Sequence, residues 1–229
     1  VYATTKNRFY KSTNTGDTFT NITSGLSTAA QTNRMILDVT PADNTYVYVL
    51  SINGSNALNG IYRSTNSGGS FTKTSGTTDV LESTQGWYDL ALAVSNTNKD
   101  LVFTGCLNIW KSSNGGTAVT KVNNWSSPNS APYTHADIHH LQYLNGKLFC
   151  LSDGGIYVSS DDGSNFTDLT AGLQISQFYR VSVSKTSAGK MVGGLQDNGG
   201  YAYSNSSWKN YYGADGMDAA VSQTNSNLF

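Results

Sequence analysis

The chain repeats one short pattern four times, and that repetition limits its fold more than any other feature. The clearest copy runs from Ile156 to Phe166 as I-Y-V-S-S-D-D-G-S-N-F, with Ser159, Asp161, Gly163 and Phe166 at fixed offsets. Two apolar or aromatic residues lead into the serine, the acidic side chain can accept from turn amides, and glycine supplies a positive φ. The pattern therefore reads as strand, tight turn and strand. The aromatic three residues past the glycine is expected to fold back onto its own hairpin. Ser12, Asn14, Gly16 and Phe19 repeat the pattern, as do Ser64, Asn66, Gly68 and Phe71. In the copy built on Ser112, Asn114 and Gly116, Val119 stands at the aromatic position. Asparagine keeps the acceptor oxygen that Asp161 supplies, so all four side chains are read as stabilising a turn rather than performing chemistry.

The four serines are 52, 48 and 47 residues apart. A period of that size, with several short strands in each unit, is the signature of a β-propeller. The expected fold is all-β, a propeller of four-stranded blades, with repeats near 1–30, 31–84, 85–132, 133–175 and 176–214 and a partial one at 215–229. A fifth hairpin has decayed to Ser204-Asn205-Ser206-Ser207-Trp208. Continuous apolar runs such as Tyr46 to Leu50 predict strands covered on both faces, whereas Tyr88 to Ser95 reads as the first strand of its repeat. No stretch carries a helical period. The chain opens at what would be a second strand, and Met217 to Phe229 reads as a first strand with the start of another. A sector of about five blades from a larger propeller is the expected object. Closure of the last strand onto the first sheet, making a ring of five, is the alternative.

Composition narrows the partners. Charged residues make up 13% of the 229, the net charge is −1, and no basic patch exists, so nucleic acid is not an expected partner. No apolar run approaches the roughly 18–20 residues of a membrane span. The chain begins at Val1 without a signal-peptide pattern and reads as a mature or internal piece. Low charge with abundant Thr, Asn and Tyr fits a secreted bacterial β-protein, placed outside the cell or at its surface. Cys106 and Cys150 sit at different offsets from their motif serines and are read as buried free thiols, with a disulfide as the alternative.

Chemistry has to come from elsewhere in the chain. His135, Asp137 and His139 alternate, so in an extended strand they would share one side, and two imidazoles with a carboxylate can ligate a divalent metal. A hydrogen-bonded network at the start of the blade is the plainer reading, and no cofactor is otherwise expected. Asp153, Asp197 and Asp215 each stand in Gly-rich turns (D-G-G, D-N-G and D-G). Turns explain them, yet with Asp137 they could ring the blade ends with carboxylates, from which an acid and a base for glycoside hydrolysis can be drawn. Aromatics offer a binding alternative. Trp87, Tyr88, Trp110, Trp125, Tyr133, Tyr211 and Tyr212 fall near strand ends or loops, and Trp125 and Tyr133, in the Pro-containing loop 123–134, are the preferred ligand-stacking candidates.

The S-x-D-x-G-x-x-F hairpins resemble the Asp-box (BNR) repeats of sialidases, xyloglucanases and sortilin-type propellers over nearly the whole chain. From His135 to Gly216, the order of His135-Ala136-Asp137-Ile138-His139-His140, Ser152-Asp153-Gly154-Gly155, Gly193-Gly194-Leu195-Gln196-Asp197-Asn198-Gly199 and Ala214-Asp215-Gly216 resembles secreted bacterial propellers, many using the type IX route. The resemblance implies an extracellular module, often joined to other modules of one longer polypeptide. It implies no single activity, since the fold carries hydrolases, receptors and scaffolds. A sialidase is disfavoured: Arg8, Arg34, Arg63 and Arg180 are the only arginines and Glu82 the only glutamate. The expected function is non-catalytic recognition of a glycan or protein partner; a xyloglucanase-like hydrolase using paired aspartates is the alternative.

Overall fold

The computed structural model describes residues 1–173 and 176–228. It is an all-β sector of a propeller, with sheets that run up and down in sequence order. Sheet 1 has three strands, β1 (Tyr2–Thr4), β2 (Phe9–Lys11) and β3 (Thr20–Ile22). Sheet 2 holds β4 (Arg34–Val39), β5 (Val47–Ile52), β6 (Leu58–Ser64) and β7 (Thr72–Lys73). Sheet 3 holds β8 (Ala91–Val94), β9 (Val102–Gly105), β10 (Ile109–Ser112) and β11 (Thr120–Lys121). Sheet 4 is β12 (Ile138–Leu144), β13 (Lys147–Ser152), β14 (Gly155–Ser159) and β15 (Thr167–Asp168). Sheet 5 is β16 (Phe178–Val183), β17 (Met191–Leu195), β18 (Gly200–Ser204) and β19 (Ser207–Tyr212). The chain forms two compact units, Val1–Thr170 with sheets 1 to 4 and Ala171–Phe229 with sheet 5.

Within the first unit an inner strand such as β5 feeds two cores, because successive side chains point to opposite faces. In β5, Val47 and Val49 join Phe9, Met35, Tyr62 and Phe71 between sheets 1 and 2. Tyr48, Leu50 and Ile52 join Leu92, Val94 and Cys106 between sheets 2 and 3. All six residues of β5 are buried as a result. A third core places Phe103 and Ile109 of sheet 3 against Ile138, Leu148 and Cys150 of sheet 4. Truncating one of these side chains to alanine costs about 2–5 kcal/mol. The first strands β4, β8 and β12 pack on one another. They line a groove of about 310 Å³ bounded by Asp38, Leu92, Asn96, His140 and Gln142.

The four hairpins share one hydrogen-bond pattern. Ser64 Oγ donates to Asn66 Oδ1 at 2.9 Å and accepts from the Gly68 amide at 2.9 Å, while Asn66 Oδ1 accepts from the Ser70 amide at 2.9 Å. The copies at Ser12, Ser112 and Ser159 repeat it. The turn needs positive φ at the glycine and at the residue before it, as Ser67 (57°) and Gly68 (71°) illustrate. The fifth hairpin achieves the reversal without glycine: Asn205 (φ 54°) and Ser206 (61°) form a two-residue turn closed by the Ser204–Ser207 pair.

Three expectations need correction. Phe71 does not fold back on its own hairpin but packs edge-on against Phe9 of sheet 1, with ring centroids 4.8 Å apart, while Phe19 is exposed. The strand expected from Tyr88 begins only at Ala91, because Tyr88 and Asp89 donate their amides to the Gln85 carbonyl in a turn. Residues 217–228 contain no strand; the Val221 amide bonds Ser182 Oγ, and Phe229 lies outside the described residues. Both cysteines are free and buried. Among the described residues no helix is long and apolar enough to cross a membrane.

Candidate functional site

The loop before β8 and the residues around the start of β12 meet at the ends of sheets 3 and 4 opposite the hairpins. Asp89 is fully buried there, and burial raises its carboxyl above the usual carboxylate range. Gln85 bridges two acids: its Nε2 donates to Asp89 Oδ2 at 3.1 Å and to Asp137 Oδ1. Asp137 lies in the left-handed region at φ 58°, a conformation a non-glycine residue holds only when its surroundings enforce it. Its carboxyl is also raised, first by burial and then by the charge of Asp153. Carboxylate oxygens of Asp137 and Asp153 lie within 4.8 Å of one another.

His139 completes this arrangement. A register shift in the β12–β13 pairing between Ile138 and His140 places His139 in a bulge, a device that re-aims side chains. Its Nε2 sits 2.6 Å from Asp153 Oδ1, and the Tyr88 ring meets the imidazole edge-on at 4.7 Å. Trp87 adjoins Tyr88 with centroids 5.6 Å apart. These two rings are 61% and 46% exposed, unlike the carboxylates behind them. Arg34, reaching over from sheet 2, donates through Nη1 to the carbonyls of Gly86 (3.1 Å) and Tyr88 (3.0 Å), so a neighbouring blade holds the aromatic loop in place.

The expected alternation of His135, Asp137 and His139 along a strand does not occur. β12 begins at Ile138, and the left-handed Asp137 with the bulge at His139 breaks the two-residue period. His135 Nδ1 contacts the adjacent Ala136 carbonyl instead, and His139 turns to Asp153. The glycine after Asp153 has a steric cause: a Cβ on Gly154 would stand 2.2 Å from His135 Cβ. In the second unit, Asp215 Oδ1 accepts from the Asp197 amide at 3.0 Å, fixing the turn between β17 and β18. In the first unit Asp137 and Asp153 bring their carboxylates together, while in the second Asp215 braces the backbone turn at Asp197.

Of the preferred aromatics, Trp125 is 46% exposed, its amide held by Asn108 Oδ1 at 2.9 Å. Tyr133 instead packs edge-on against Tyr157 and joins the core between sheets 3 and 4. Sequence reasoning passed over Gln85, Asp89 and Asn108. Asn108 also donates to Glu82 Oε2 at 2.6 Å, and Lys121 Nζ reaches Glu82 Oε1 at 2.8 Å. Glu82 is in the left-handed region at φ 56°, so the one glutamate of the chain is spent on a local network.

A family model described as a DUF6242 beta propeller domain matches residues 90–225. No curated protein matches the chain. Among solved structures, the GH74 xyloglucanase from Xanthomonas campestris is similar at a TM-score of 0.55 and 16% identity, over 96% of this chain and 38% of that one. An ancestral GH74 enzyme is similar at 0.52 and 17% identity, over 92% and 29%. The extracellular domain of a putative one-component system from B. thetaiotaomicron is similar at 0.50 and 14% identity, over 93% and 26%. The chain therefore spans between 26 and 38% of these proteins, and at such identities the likeness establishes the fold alone.

Proposed function

The chain belongs to the DUF6242 beta propeller domain family, and we propose that it is a non-catalytic, glycan-binding module of a secreted or cell-surface bacterial protein. One observation carries the reading. The exposed Trp87–Tyr88 pair stands beside two carboxylates that both already have partners, Asp137 with Gln85 and Asp153 with His139. A sugar ring can lay its apolar face on the indole while its hydroxyls donate to the remaining carboxylate lone pairs. Such a site grips without needing a free acid or base. In this reading the hairpins are Asp boxes, the partner is a saccharide rather than a protein, and other modules of a longer polypeptide supply any further activity. Calorimetric titration with plant and bacterial oligosaccharides tests it. Trp87→Ala should lose at least tenfold in affinity with melting unchanged; equal affinity would refute the site.

A hydrolase remains the second reading because burial and the Asp153 charge both favour a protonated Asp137, as a general acid requires. The X. campestris neighbour is a xyloglucanase, so xyloglucan is the substrate to try first. Reducing-end release by the wild-type chain, abolished in Asp137→Asn, would establish this reading over the first.

A further inference from the structure

Trp125 is an exposed indole on a loop that three buried polar side chains hold in place. Asn123 pins the loop at both ends: its Oδ1 accepts from the Ile109 amide at 2.7 Å, and its Nδ2 donates to Thr134 Oγ1 at 2.7 Å. Asn108 Oδ1 fixes the Trp125 amide, while Asn108 Nδ2 donates to Glu82. Asn108, Asn123 and Thr134 are all buried, yet the ring they steady stands in water. Tyr133 anchors the far end of the loop in the core, and the near end carries its ring outward. Ordering an exposed ring in this way removes an entropy cost that a ligand would otherwise meet on binding.

Glu82 links this ring to the Trp87 loop. It accepts from Asn108 through one oxygen and from Lys121 through the other, and it precedes Trp87 in the same loop. The Trp87 loop enters β8 and the Trp125 loop leaves β11, at the same end of sheet 3. Three strand spacings of about 4.8 Å put these two points roughly 14 Å apart. One sugar ring cannot bridge that distance, whereas a short chain of them can. Each ring has carboxylate lone pairs near it for hydroxyl donors, those of Asp137 and Asp153 at the inner end and those of Glu82 at the outer. Sheet 3 packs between sheets 2 and 4 within one compact unit, so both loops are framed by residues of that unit.

Resting on the reading of Trp87 and Tyr88 as a sugar site, we propose that Trp125 is a second stacking platform for the same ligand. That ligand is then a linear oligosaccharide or polysaccharide bound along its length across the end of sheet 3. The Trp125 indole takes the apolar face of one ring in the chain, and the partly exposed Glu82 and Lys121 bond hydroxyls beside it. Once Trp87 and Tyr88 hold one part of the chain, the second contact is intramolecular, so affinity rises with chain length. A single sugar reaches one platform only.

Calorimetric titration with β-linked oligosaccharides of glucose, xylose and mannose, from disaccharide to octasaccharide, reads the outcome. In the wild type, affinity should climb about tenfold or more with length in at least one series and then level off. Trp125→Ala should bind the shortest ligand of that series as the wild type does and gain nothing from added units, with melting unchanged. Trp125→Phe, which keeps an aromatic face, should retain most of the gain. Trp87→Ala should weaken binding at every length. Affinity that ignores length would overturn the second platform and leave the Trp87 site standing. So would a Trp125→Ala chain that keeps the full gain or loses equally at every length. No binding in any series would overturn the Trp87 site and the second platform with it.

Discussion

His139 Nε2 stands 2.6 Å from Asp153 Oδ1, and the two residues are joined across the first pair of strands in sheet 4. The bond ties the imidazole that supports Tyr88 to the carboxylate beside Asp137. Loosening either residue should therefore disturb both the aromatic and the acidic side of the site.

Asp137→Asn isolates the electrostatic strain. The folded chain holds the Asp137 proton more tightly than the unfolded chain, so its ionisation costs stability as pH rises from the unfolded pKa through the folded one. Asparagine keeps an acceptor for Gln85 and removes the charge. The variant should melt above the wild type at neutral pH, and the gap should close near about pH 3, where the unfolded carboxyl is also protonated. Thermal scans across pH check this.

The hairpins make a paired prediction. Ser64 is buried and makes three bonds through Oγ, so Ser64→Ala should cost about 1–3 kcal/mol in urea unfolding. Asp161→Asn should be nearly neutral at pH 7, because the other three copies carry Asn at that place.

Glycine docking can be separated from glycine strain. Gly116 and Gly16 both have positive φ, at 88° and 106°, but only Gly116 faces neighbours, with Thr74 Oγ1 2.5 Å from its Cβ position. Gly116→Ala should destabilise by at least about 1 kcal/mol more than Gly16→Ala, the excess being the cost of overpacking.

Cys106 and Cys150 are free, buried, and have thiols pushed up by burial, Cys150 to about 12. A thiol reagent at pH 8 should label neither in the folded chain and both in urea.

The hairpins and blades were legible because their determinants lie within eleven residues: a serine, an Asx acceptor, a glycine and the flanking strand pattern. The site was only half legible. Asp137, Asp153, His139, Trp87 and Tyr88 could be named as types, but Gln85 joins Asp137 across 52 residues and carries no motif. Alternation failed at His135–His139 because a left-handed residue and a bulge are invisible to a two-residue period. Tyr133 looked like Trp125 in a loop; only the packing against Tyr157 separates them.

The most direct test is a time course of one-dimensional proton NMR on xyloglucan oligosaccharides, and on other β-linked oligosaccharides, mixed with the chain. Sugar signals should broaden or shift for at least one of them, Trp87→Ala should abolish the change, and no new reducing-end anomeric signal should grow in over days. Growth of that signal, lost in Asp137→Asn, would contradict a non-catalytic module and make the Asp137–Asp153 pair an active site.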